Sequence, residues 1–177
     1  RVNDTINGIK VNLLCPVVKS KTAGFSTKLI YEISNSYFKN FVAEAKEKGK
    51  NDSVYHQLNI RTVFVNSKAG LISCLMEEKA KFVGEEIRKS YFGVTYKKTD
   101  DKALSFAEVF PIDEVNFDEF KLLFSTKADA LSKKDFDESQ FAIGKDSLYV
   151  FVGGKENGQT KFSASIQSIE GFIINGK

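Results

Sequence analysis

Tryptophan is absent from this 177-residue chain, and it holds one histidine, two cysteines, two prolines and one methionine. The shortage of His56, Cys15 and Cys74 excludes most metal centres. A Cys/His zinc site needs about four such ligands, and here they stand far apart in sequence. A Cys–His nucleophilic pair is arithmetically available. Both cysteines, however, stand in apolar β-prone runs, which points to buried thiols or to a disulfide. Apolar runs reach only about ten residues, against roughly 20 for a membrane-spanning helix. No signal peptide is legible; if the domain is exported, its signal or anchor belongs ahead of Arg1. Nothing has the pattern of a nucleophile elbow or a phosphate-binding loop. "GGKENG" holds glycines but leads into no helix, so it reads as a hairpin loop.

What is present is ordinary globular material. Hydrophobic residues make up 42% and charged residues 28%, and the net charge is only +3. The lysines are scattered, which argues against a dedicated nucleic-acid binder. Sixteen phenylalanines predict a phenylalanine-rich core.

Periodicity organises the chain. "TINGIKVNLLCPVV" reads as one or two strands broken at Gly8 and stopped at Pro16. Phe25, Leu29, Ile33, Tyr37, Phe41 and Ala45 recur every four residues, and Ile30, Phe38 and Val42 widen the stripe. This predicts an amphipathic helix over about residues 25–48, closed at Gly49. "VYHQLNIRTVFVNS", "LISCLMEEKAKFV" and "IRKSYFGVTYKKT" read as three strands, the first two joined by a tight turn at "KAG". His56 is expected to face solvent or a polar neighbour. Ser105 with Glu108 has capping-box spacing, and Pro111 limits the helix it starts to about one turn. Asn116 with Glu119 repeats the spacing, with Phe117, Phe120, Leu123 and Phe124 behind it, predicting a second helix over 116–132. "SKKDFDESQ" reads as a loop and the remainder as short strands, with Gly153, Gly154 and Gly158 marking a turn.

These elements predict an α+β fold of antiparallel sheets, with a long amphipathic helix in the first half and a second helix in the C-terminal half. The expected division is 1–92, a helix on an antiparallel sheet, and 93–177, a smaller α+β half. Each half alone is of marginal size, so a shared interface is expected.

The segment "TYKKTDDKALSFAEVF" resembles an element of the RsiV-like extracytoplasmic domain family, with Tyr96, Lys102, Leu104, Phe106, Val109 and Phe110 in the corresponding places. The ending is similar as well: Phe141, the 148–151 strand, Gly158 and Phe162 match a strand, loop and strand of that family. A glycine–histidine element precedes the aromatic in the family. Here Gly84 matches it and Glu86 stands in the histidine's place, while Lys97 and Asp101 replace an acidic residue and a glycine of the turn. The resemblance implies an extracytoplasmic domain, secreted, periplasmic or membrane-anchored. Such domains occur in anti-sigma factors that sense lysozyme, and beside polysaccharide deacetylase domains.

Two functions follow. One is a non-catalytic binding or sensor domain recognising a protein or glycan ligand at the cell envelope, with no cofactor, metal or nucleic acid. The other is an accessory domain of a cell-envelope hydrolase such as a polysaccharide deacetylase, or a cryptic hydrolase. Glu77/Glu78, Glu85/Glu86 and Asp100/Asp101 are adjacent carboxylates. Neighbours in a strand point to opposite faces, so the pairs are expected to be solvated edge charges rather than acid/base dyads. Recognition is expected in loops. The candidate ligand-binding residues are Gly84 and Glu86 in one loop, and Gly153, Gly154 and Lys155 in another. Tyr96 or Tyr91 is expected to flank them.

Overall fold

In the computed structural model, residues 2–6, 9–14, 23–48, 56–97, 99, 102–124, 128–153 and 159–173 are described, with side chains from Tyr31 onward. The fold is α+β. Strands β1 (Val2–Ile6) and β2 (Ile9–Leu14) precede the 25-residue helix α1 (Ala23–Glu47). Next come β3 (His56–Lys68), β4 (Leu71–Lys81) and β5 (Arg88–Lys97). The C-terminal elements are α2 (Phe106–Val109), α3 (Glu114–Lys121), α4 (Lys133–Asp137), β6 (Gln140–Ile143), β7 (Ser147–Val152), β8 (Thr160–Ser165) and α5 (Ile166–Ile169). The larger sheet has the order β1-β2-β3-β4-β5, and β6-β7-β8 form a smaller antiparallel sheet.

The expected all-antiparallel pairing needs one correction. β2 and β3 are parallel, with Ile9 opposite His56 and Leu14 opposite Arg61. A parallel pair needs a long crossover, and α1 supplies it.

The chain divides into two units, one of Arg1–Val63 with Met76–Ser90, the other of Phe64–Leu75 with Tyr91–Lys177. In the first, α1 buries Ser34, Phe41 and Ala45. Phe41 stacks on Phe82 with ring centroids 4.9 Å apart. Ser34 Oγ donates to Met76 Sδ at 3.8 Å. The last turn of α1 is tied to β5 by a two-bond Arg88–Glu44 pair, at 2.9 and 2.8 Å. Lys48 joins Glu85 in the β4–β5 turn. His56 is buried; its Nδ1 accepts from the Val83 N–H at 3.3 Å, so it has the expected polar neighbour.

The second unit has the phenylalanine core that the composition predicts. Phe106, Phe110, Phe117, Phe120, Phe136 and Phe141 are all buried in one cluster. Phe106 lies 4.8 Å from Phe110 and 5.4 Å, edge-on, from Phe141. The Ser105–Glu108 capping box is present: Glu108 accepts from the Ser105 N–H at 2.7 Å, and its own N–H donates to Ser105 Oγ at 3.3 Å.

The second predicted helix is shorter than 116–132. Its N-cap is Asp113, which accepts from the Asn116 N–H at 2.8 Å, and it ends at Lys121. The segment read as a loop from 132 holds α4, started by a capping box between Ser132 and Asp135. Residues 166–173, read as strand, instead form α5 and a 3-10 turn, Glu170–Phe172. The "KAG" turn is as predicted: Ala69 and Gly70 have φ of 48° and 74°, the left-handed pair of a tight hairpin.

Candidate functional site

Glu77 and Glu78 are adjacent in β4, and the pleat sends them to opposite faces. Both are buried, at 2% and 1% exposure, which corrects the expectation of solvated edge charges. Glu78 faces α1. Its Oε2 accepts from Ser90 Oγ at 2.7 Å. Burial, aided by the Glu78 charge, pushes the Tyr37 hydroxyl pKa well above its usual range, so Tyr37 stays neutral.

Glu77 sits on the other face, beneath a roof of cations. Arg61 Nε lies 2.7 Å from Oε1, Lys89 Nζ 2.8 Å from Oε2 and Lys79 Nζ 3.6 Å from Oε1. The cations are themselves 46–53% exposed. Their stems cover the carboxylate while their heads stay wet. The Arg61 hydrogen bond, then that of Lys89 and the charges of both, outweigh the opposing cost of burial and lower the Glu77 pKa to about 2.

Among the described residues this face carries a cluster of cations gathered on the Glu77 carboxylate. Lys81, two residues beyond Lys79, is exposed and adds to it. Gln57 and Asn59 precede Arg61 on the same face of β3 by strand alternation. Asn59 Oδ1 is buried and accepts no hydrogen bond among the described residues. Chemically, the cluster holds fixed charges around a carboxylate whose pKa is lowered to about 2.

The residues singled out from sequence are placed as follows. Gly84 and Glu86 share the β4–β5 turn and are exposed. Gly84 has φ +80°, a conformation that favours glycine, and its missing side chain faces open space. Gly153, just after β7, is exposed with φ 101°. Tyr96 is 1% exposed, so its ring belongs to the interior. Tyr91 is half-buried and stacks on Phe151 at 5.3 Å. Gly154, Lys155 and Cys15 lie outside the described residues; Cys74 is buried.

Arg61, Lys79 and Lys89 escaped the sequence reading. A signal was present in "MEEKAK", where Glu77, Lys79 and Lys81 alternate with Met76, Glu78 and Ala80, the period of a strand with one polar face. Glu78 obscured it by placing a second charge on the buried side.

No family model matches the chain, and no curated protein matches it. Solved structures are similar to the chain, two of them as follows. A member of the DUF3298 family from Bacteroides fragilis NCTC 9343 is 12% identical, with a TM-score of 0.45 over 85% of this chain and 72% of that one. A DUF3298 family protein from Pseudomonas aeruginosa PAO1 is 14% identical, with a TM-score of 0.43 over 67% of this chain and 62% of that one.

Proposed function

We propose that this chain is a non-catalytic binding or sensor domain that acts outside the cytoplasm and recognises a protein or cell-envelope ligand. The observation that carries the reading is the fixed-charge face around Glu77. A general base works best with a pKa near the operating pH. Glu77, held at about 2, is a poor proton acceptor at neutral pH. Its cations present charge to solvent without a proton to exchange, which favours holding a ligand over transforming one. The RsiV-like pattern of residues 96–110 supports the extracytoplasmic setting and the sensor role.

The test is capture by the purified, immobilised chain from cell-envelope fragments and secreted proteins. Saturable capture that weakens with salt is expected, because surface charges are screened. No saturable capture from either source would overturn the reading.

A further inference from the structure

We propose that His56 makes the β4–β5 turn responsive to acid: a proton taken up at Nδ1 removes the acceptor that holds Val83 and loosens the turn that carries Gly84 and Glu86. This goes beyond the binding reading and stands whether or not the turn contacts a ligand.

The bond itself sets the state of the ring. A ring nitrogen that accepts from a backbone N–H carries no proton of its own. The Val83 N–H donates to His56 Nδ1 at 3.3 Å, so the imidazole is neutral, with its proton on Nε2. A second proton goes to Nδ1, where the remaining lone pair is. The acceptor then becomes a donor, and two N–H groups face each other. His56 is 6% exposed, so the new charge stands in the interior and is relieved when the turn moves off it. Histidine is the side chain whose charge ordinarily changes between about pH 5 and 8, which suits it to carry such a response.

The surroundings push the same way. His56 meets the Phe82 ring edge-on, with centroids 5.6 Å apart. Lys48 Nζ and the Arg88 guanidinium lie over that same ring, 4.8 and 5.3 Å from its centroid. The carboxylates at this end of the sheet are Glu44 of α1, which holds Arg88 by two bonds, and Glu85 of the turn, which pairs with Lys48. Glu78, four residues before Phe82 on β4, accepts from Ser90. On β2, the residue opposite His56 is the apolar Ile9. An imidazolium is therefore a third cation around one aromatic ring. The turn is tied to β3 through Val83 and to α1 through Glu85. Acid releases the first tie and leaves the second, so the turn opens on one side.

The test is NMR of the whole chain between pH 8 and pH 4.5. His56 is the single histidine of the sequence, so its ring signals identify themselves. Hydrogen exchange of the Val83 amide, corrected for the intrinsic rate, is followed beside them. The Leu104 amide, bonded to the Thr95 carbonyl at 2.7 Å in the other unit, is the control. Protection of Val83 should fall about tenfold with the same midpoint as the His56 ring, while Leu104 stays unchanged. His56→Asn replaces the ring with a side chain that does not titrate, and its Val83 protection should not vary with pH.

Val83 protection that stays constant as the His56 ring titrates would overturn the proposal, and the wild-type chain alone decides this. A ring that takes up no proton over the range would also overturn it. So would a fall that persists in folded His56→Asn, since the response would then belong to the carboxylates. None of these results bears on whether the chain captures envelope fragments, so the binding reading is judged separately.

Discussion

At Gly93 in β5, an added Cβ would stand 1.6 Å from the carbonyl oxygen of Phe141. That oxygen is backbone and cannot swing aside, so the strands must part. Gly93→Ala should therefore cost about 3 kcal/mol or more. Gly84→Ala meets open space and carries only the strain of its positive φ. Its cost should be about 1–2 kcal/mol. Urea unfolding of the two variants checks this; equal losses would contradict the close approach. Glu77 makes a second prediction at this scale. Its folded pKa lies below the unfolded one, so its contribution is present in full above about pH 4.5 and is lost as pH falls toward about 2. Because its cations are half in water, Glu77→Gln should cost only roughly 1–2 kcal/mol at pH 7. The gap between wild type and variant should close as unfolding is repeated down to about pH 2. A gap that persists there would show that shape, not charge, is what Glu77 provides.

Among the elements, α1 was legible because a four-residue apolar repeat has one physical solution at that length. Phe41, 1% exposed and stacked on Phe82, lies on its buried face, and Glu47 lies outside. Phe41→Ala should cost about 3–5 kcal/mol. Glu47→Ala should stay within about 0.5 kcal/mol. Equal melting shifts would mean that the face is misplaced. The region 116–132 was less legible. Phe117, Phe120 and Phe124 keep helical spacing, yet the helix stops at Lys121, because the buried phenylalanines follow the shared core rather than one continuous helix. β5, at the edge of the larger sheet, has a device that no local pattern announces. The Gln159 side chain accepts from the Tyr91 N–H at 2.7 Å and donates to the Tyr91 carbonyl at 2.8 Å, as a neighbouring strand would. It closes part of an edge that would otherwise invite pairing with another chain. Gln159→Ala should cost about 1–3 kcal/mol. It should also increase concentration-dependent self-association in sedimentation. A variant as stable and monodisperse as the wild type would remove that role.

At the scale of the whole molecule, no helix among the described residues is long and apolar enough to cross a membrane. The α+β class was legible because strand and helix periods differ and each recurs cleanly in its own segments. The parallel β2–β3 pair was not, since nothing in a strand's own sequence states the direction of its neighbour. The cationic face was hidden for a similar reason. Glu77 is buried by Arg61 from β3 and Lys89 from β5, and only the sheet brings those side chains over it. Binding without catalysis is the central claim, and fate after capture tests it most directly. Envelope fragments held by the immobilised chain are eluted with salt and compared by mass with the input. Recovery at unchanged mass is the result expected. Fragments that come off cleaved or deacetylated, in amounts that grow with time on the column, would contradict it.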